Sequence, residues 1–157
     1  MFSNYNDEKL IEFFGLIIPD ELAKEKNRYE KGMITFNKTF VLFHILENNK
    51  NVGWCGFHTW YTDHARAEIG FVLSNEDSKG KGIISVALKE VIDYGFNTMN
   101  LHRIEAFVAP NNVPSLKLME KFNFSKEGHL REHYFKNNKM EDSIVFSLLK
   151  SEYKPIN

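Results

Sequence analysis

The segment richest in possible chemistry is Asp77-Ser-Lys-Gly-Lys-Gly-Ile83, which lies between an apolar, strand-like stretch and a long amphipathic one. A strand that ends in a glycine turn and opens a helix exposes unpaired backbone N–H groups at the positive end of the helix dipole, an arrangement suited to a phosphate group. Gly80 and Gly82 let the backbone approach such a ligand closely. The P-loop pattern GxxxxGK[ST] has no match, and the dinucleotide pattern GxGxxG fails because Ser85 stands at its third glycine. A Gly-x-Gly by itself equally describes an ordinary tight turn before a helix. The histidines His58, His64, His102, His129 and His133 show no HExxH or comparable ligand spacing, so no metal is expected; only His133, beside Tyr134, is placed near a site. Cys55, between Trp54 and Gly56, reads as a small core residue rather than a nucleophile.

The elements that must position this loop follow from periodicity. Asp7 to Phe14 carries Leu10, Ile11 and Phe14 at helical spacing, with Gly15 placed to end the helix. Pro19-Asp-Glu21 opens a second, mostly charged helix through Leu22 and Tyr29 to about Gly32. The period then changes: Thr39 to Leu46 and Val52 to Trp60 form a hairpin about Asn48, Asn49 and Asn51, and Arg66 to Leu73 forms a third strand. From Ile83 the apolar positions Ile84, Ala87, Leu88, Val91, Ile92 and Phe96 trace one face of a four-turn helix. His102 to Ala109 predicts a strand, Pro114 to Phe122 a short helix, and Phe124 to Phe135 with Met140 to Leu149 a closing hairpin about Lys136-Asn-Asn-Lys139. Strand, loop, long helix and strand from Arg66 to Ala109 make a βαβ crossover with antiparallel hairpins on both sides. The class is α/β with a mixed, largely antiparallel sheet.

Composition bounds the rest. The chain of 157 residues is 43% hydrophobic and 26% charged, which suits one domain spanning 1–157 with its own core. A net charge of −1 argues against a nucleic-acid partner recruited by bulk electrostatics. A mild basic surplus, 12 Lys/Arg against 10 Asp/Glu, lies in residues 77–157 with the glycine loop. One cysteine permits no internal disulfide, and the longest apolar runs are far short of a membrane span, so the expected setting is cytoplasmic with no membrane partner. Fourteen Phe and 14% aromatics exceed what a small core needs.

The loop and the blocks that follow it resemble the GNAT superfamily of acetyl-CoA-dependent N-acetyltransferases. The family's pyrophosphate loop reads Gln/Arg-x-x-Gly-x-Gly/Ala; here Gly80 and Gly82 match, Lys79 stands where Arg is frequent, and Asp77 departs from Gln/Arg. Ala67-Glu-Ile-Gly-Phe71 upstream, and Leu101-His-Arg-Ile-Glu-Ala106, Asn112-x-x-Ser115, Glu120-Lys-Phe-Asn-Phe124 and Glu127-Gly128 downstream, match the other blocks in order. Asn123 replaces the usual Gly. The resemblance runs from about Val41 to Leu149 and is nearest the RimJ/RimL-like branch, whose founding members acetylate ribosomal-protein N-termini. Members usually open with an edge strand before a helix like Asp7 to Phe14; only six residues precede it here, so either that strand is missing or the native chain starts upstream of Met1.

The resemblance implies a central pair of parallel strands that splay apart to admit acetyl-pantetheine, and it implies roles. Backbone amides of Lys79, Gly80, Lys81, Gly82, Ile83 and Ile84 would hold the pyrophosphate, with Lys79 and Lys81 adding charge; for Lys81 a solvated surface position remains the alternative. The backbone of Phe71, Val72 and Leu73 would pair with pantetheine and polarise the thioester carbonyl. Glu68 occupies the position of the general base, unless it is a strand-end carboxylate paired with Arg66 or Arg103. Asn112 would contact the cofactor and Ser115 would protonate the thiolate, unless both serve as helix caps. Tyr134 would line the acceptor pocket.

The implied reaction is direct attack of a primary amine on the thioester in a ternary complex, with acetyl-CoA as co-substrate and no metal. The acceptor is a small molecule or a protein N-terminus, and the protein a monomer or homodimer; the competing reading is a non-catalytic acyl-CoA-binding regulator. Trp54, Phe57, Trp60, Tyr61, Phe13, Phe14, Phe36, Tyr134 and Phe135 fall in segments expected around the acceptor, whereas Phe71, Phe96, Phe107, Phe122 and Phe124 read as core.

Overall fold

A computed structural model describes residues 5–16, 19–30 and 40–154. Two helices, α1 (Asp7–Phe14) and α2 (Pro19–Glu30), precede the strands β1 (Val41–Glu47), β2 (Lys50–Tyr61) and β3 (Arg66–Leu73). Then come α3 (Ile83–Asn97), β4 (Arg103–Val108), α4 (Val113–Lys121), β5 (Ser125–Lys136) and β6 (Lys139–Leu149). Gly15 ends α1 in the left-handed conformation, and the Asn6 side chain caps its start. The expected continuation of α2 to Gly32, the strand start at Thr39 and the placement of Phe36 lie outside the described residues.

The strands form one sheet in the order β1-β2-β3-β4-β6-β5. Every neighbouring pair is antiparallel except β3 and β4, the two ends of the crossover through α3. Among the described residues β1 and β5 are the edges. Alternation along β3 and β4 sends Ala67, Ile69, Ile104, Ala106 and Val108 to one face, where Leu88, Val91, Ile92 and Phe96 of α3 cover them. That shared apolar layer is the main core, and burying its side chains is what holds α3 at one fixed angle over β3 and β4. The opposite face of the same strands carries Arg66, Glu68 and Gly70 on β3 and Arg103, Glu105 and Phe107 on β4.

The parallel pair is short. β3 and β4 match only at Arg66 with Arg103, Ala67 with Ile104, and Glu68 with Glu105. Beyond Glu68, β3 keeps its pairing with β2 as far as Leu73, and β4 keeps its pairing with β6 as far as Val108, so the two diverge. The divergence starts where β2 carries an extra residue: Phe57 faces Ile69 and Thr59 faces Glu68, leaving His58 in a bulge. A bulge bends its strand and sharpens the local twist, which turns β3 away from β4 at that level.

Candidate active site

The opening between the diverging strands is a cleft of about 290 Å³ lined by Trp54, His58, Glu68, Gly70, Phe71, Phe107, Asn112, Ser115 and Tyr134 among others. Five elements converge there: β2 supplies Trp54 and His58, β3 Glu68 to Phe71, β4 Ala106 to Val108, the start of α4 Asn112 and Ser115, and β5 Tyr134. A larger groove of about 610 Å³ runs between β1 and α3, lined mostly by aliphatic and aromatic side chains and remote from Glu68.

Glu68 is the carboxylate inside the cleft, with its side chain 15% exposed. Burial pushes its pKa up to about 7, and the neighbouring Glu105 carboxylate adds to the rise; His133 and hydrogen bonds from Thr59 and Tyr134 oppose it. The alternative pairing with Arg66 or Arg103 does not occur. Both guanidiniums bind Glu105 instead, Arg66 Nη1 at 2.7 Å from Oε2 and Arg103 Nε at 2.8 Å from Oε1. Arg66 also lies over the Tyr61 ring at 4.1 Å, and Arg103 Nη1 reaches Glu127 at 3.0 Å. This network consumes both nearby guanidiniums, so neither arginine offsets the desolvation that dominates the titration of Glu68.

Tyr134 donates to Glu68, and burial with the Glu68 charge raises its own pKa. It is delivered by an irregularity in the last hairpin. Leu130 pairs with Ser143 but Tyr134 pairs with Glu141, so β5 carries two more residues than β6 over this span, and Glu132 takes φ +52°. His133, from the same bulge, stacks at 4.3 Å on Tyr134 and 5.1 Å on Phe107, with Nδ1 3.1 Å from Ser143 Oγ.

The glycine turn meets α3 as the pattern requires. Gly80 and Gly82 have φ +76° and +77°, values that a β-carbon disfavours. Gly82 is the N-cap and brings no side-chain cap, and the first helical bond comes from the Val86 N–H, so the amides of the first turn point outward unpaired by the helix. The lysines behave differently from expectation. Lys79 is paired with Glu76, and Lys81 Nζ lies 3.2 Å from Glu47 Oε1, with Glu47 also accepting from Ser78 Oγ at 2.7 Å. The side chains of Lys81 and Ile83 line the β1–α3 groove rather than the cleft. The loop therefore presents its backbone, with much of its lysine charge already neutralised. Sequence reading missed Lys121, at the end of α4, whose Nζ lies 2.6 Å from Ser85 Oγ in the first turn of α3.

The β3 backbone divides by parity. The Ser74 N–H bonds to Val52 O at 2.9 Å, so Val72, two residues earlier, also points its backbone groups at β2. Phe71 and Leu73 direct theirs to the open side, where no β4 residue meets them. Of the three positions singled out for pantetheine, two have a free edge and Val72 does not. Asn112 is the N-cap of α4, its Oδ1 accepting from the Ser115 N–H at 3.3 Å, which leaves the Ser115 hydroxyl on the cleft wall.

Three further expectations need adjustment. Phe57 is fully buried beneath α3 and contributes nothing to the cleft, whereas Phe107, read as core, lines it. Phe13 and Phe14 form an edge-to-face cluster with His44 on β1. His58 had no assigned role and stands 3.5 Å from Glu68, while the buried Cys55 thiol has its pKa pushed up to about 12. Among the described residues, no group of three or more His, Cys, Asp or Glu could hold a metal ion, and no helix is long and apolar enough to cross a membrane.

A mixed sheet opened at one parallel pair, with a glycine turn at the helix between them, is the fold of a known class. The profile of the acetyltransferase (GNAT) domain matches residues 1–125, and the chain belongs to that family. It is 44% identical over 109 residues to the uncharacterised N-acetyltransferase p20 of Bacillus licheniformis, covering 69% of this chain and 61% of that protein. It is 31% identical over 110 residues to a putative ribosomal N-acetyltransferase of Bacillus subtilis, covering 70% and 60%. A chimera of the Vibrio cholerae spermidine N-acetyltransferase superposes with a TM-score of 0.74 at 27% identity, over 84% of this chain and 78% of that one. The matched stretch thus spans about three fifths of the length of these curated relatives.

Proposed function

We propose that this protein is an acyltransferase that moves the acetyl group of acetyl-CoA to a primary amine by direct attack. The observation that carries the proposal is Glu68, a desolvated carboxylate set at the vertex where β3 and β4 part. A non-catalytic acyl-CoA binder has no use for a carboxylate whose burial works against folding. In the proposed complex the amides of the glycine turn and of the first turn of α3, from Gly80 to Ile84, receive the pyrophosphate, and Lys121 adds an ammonium beside them; the expected Lys79 amide is not available, because its N–H already bonds Glu76 O at 3.0 Å. Phe71 and Leu73 offer the strand edge to the pantetheine amides, and an N–H there polarises the thioester carbonyl.

The amine nitrogen attacks the carbonyl carbon, the C–S bond breaks, Glu68 accepts the amine's proton and returns it to solvent, and the departing thiolate is protonated through the Ser115 hydroxyl, which regains its proton from solvent. A base with its pKa near 7 is ionised enough at neutral pH to accept a proton and weak enough to release it. Tyr134 fixes the carboxylate's orientation. Trp54, Phe107 and Tyr134, the last two in ring contact with His133, give the acceptor side of the cleft an aromatic wall. This wall favours an amine on an apolar or flat body, such as a protein N-terminus of the kind the RimJ/RimL-like branch takes, over a bare polycation.

The test is acetyl-CoA-dependent thiol release across a panel of N-terminal peptides beginning with Ala or Ser, polyamines and aromatic monoamines. Turnover that Glu68→Gln abolishes while acetyl-CoA binding persists supports the proposal. Tight acetyl-CoA binding with no turnover on any amine overturns it.

A further inference from the structure

We propose that His58 and Glu68 work as one proton-accepting pair, in which the proton taken from the attacking amine is shared between Glu68 Oε1 and His58 Nε2. The inference rests on the acetyltransferase reading and adds a residue to it. It starts from the bulge in β2, where the extra residue opposite Ile69 and Glu68 is His58. Regular alternation would send Thr59 to the core face; with the extra residue, Thr59 faces Glu68 in register and its side chain hydrogen-bonds the carboxylate. Two consecutive side chains therefore reach the same carboxylate, a result that bulges produce next to sites where a side chain must be re-aimed.

The imidazole has a prepared seat. A β-carbon at Gly70 would lie 2.7 Å from both Cδ2 and Nε2 of His58, so the ring rests against the bare β3 backbone one turn of the pleat from Glu68. Any side chain at position 70 would evict it. Nδ1 lies 3.4 Å from Thr59 Oγ1, and the ring also hydrogen-bonds its own backbone. In the tautomer that carries its hydrogen on Nδ1, where these acceptors can receive it, Nε2 turns a lone pair toward Glu68 Oε1 at 3.5 Å. Two lone-pair atoms facing each other are stable together only with a proton between them, so the geometry is built to take up one proton.

The surroundings keep that proton from being claimed elsewhere. Glu105 on β4 faces the pair but is occupied by Arg66 and Arg103. Tyr134 on β5 donates to Glu68, and His133 stands beside it, bound to Ser143. Burial lowers the pKa of His58, so the ring is neutral and able to accept. In the balanced step the N–C bond forms as the C–S bond breaks, the amine's proton passes to the Glu68–His58 pair, the thiolate takes a proton through Ser115, and the pair later returns its proton to solvent.

The pair is tested first without any acceptor, by following the His58 ring nitrogens by NMR through about pH 4 to 9 in the wild type and in Glu68→Gln. A two-step curve in the wild type that becomes one step at lower pH in Glu68→Gln supports the pair; one step with the same midpoint in both overturns it. With an active amine, His58→Gln keeps the carboxylate but replaces the acceptor nitrogen by an amide donor. Its kcat is expected to fall about tenfold or more, with the acid limb displaced to lower pH by about one unit, and Gly70→Ala should reproduce the loss. An unchanged plateau and limb in His58→Gln, alongside an inactive Glu68→Gln, removes His58 and leaves the acetyltransferase reading intact. If no amine is acetylated by any form, that reading fails and the NMR result still decides the pair.

Discussion

Glu68→Gln should make the protein less active and more stable, with the gain building up between pH 4.5 and about 7 and complete above that. Burial and Glu105 move that value from an ordinary 4.5 to about 7. The folded chain therefore holds the proton more tightly than the unfolded chain. Protonated Glu68 favours folding at low pH, that contribution is lost between pH 4.5 and about 7, and above it the folded state carries a charge the unfolded state keeps in water. Each pH unit between the two values is worth about 1.4 kcal/mol, which bounds the effect near 3 kcal/mol. Hydration through the cleft reduces it, and about 1–2 kcal/mol is expected. Gln keeps the shape and removes the charge. Thermal unfolding at pH 8 should place the variant about 2–8 °C above the wild type, with no gain at pH 4. A variant that is equally displaced at both pH values, or less stable at pH 8, would refute the claim that Glu68 is held in an unfavourable ionised state.

Other outcomes follow from the same geometry. Glu105→Gln removes a like charge from beside Glu68 and strands two guanidiniums; at about 6 Å and an effective dielectric of about 20 to 80 that is worth ~0.7–3 kcal/mol, so the acid limb of kcat, read at saturating amine, should move down by about one pH unit. Gly82→Ala forces a β-carbon onto φ +77° and should lower stability by about 1–2 kcal/mol and weaken acetyl-CoA binding, measured by unfolding and by calorimetry. Cys55, with no exposed surface and its thiol pKa near 12, should resist a disulfide-exchange reagent in the folded protein at pH 8, so thiol release reads coenzyme A alone.

Elements were legible where the signal is local. The third strand, Arg66 to Leu73, and the helix opening at Ile83 coincide with β3 and α3, because period-2 and period-3.6 burial are written in the residues themselves. The left-handed glycines before α3 were legible for the same reason, since a backbone requirement is met by residue type. Register irregularities were not. Grouping by segment puts Phe57 with Trp54 around the acceptor, although alternation already sets Phe57 on the buried face with Cys55; the extra residue that follows it turns Thr59 to the face of Glu68, beside His58. The two extra residues of β5 that bring Tyr134 to the cleft, where Glu132 takes φ +52°, carry no signature in the sequence.

By itself, then, the sequence determined the order of the elements, the crossover and the phosphate-sized turn, because each depends on contacts within one segment. Charge pairing depended on the assembled sheet. Arg66, Glu68, Arg103 and Glu105 share one face of the parallel pair, and only the positions of the guanidiniums decided that Glu105 is neutralised and Glu68 is left to titrate near neutrality. The same holds for Lys79 and Lys81, whose partners are Glu76 nearby and Glu47 on a strand 34 residues away. Coulomb and desolvation energies depend on where groups lie in space rather than along the chain, so tertiary structure alone decided which carboxylate is neutralised by arginine and which has its pKa raised.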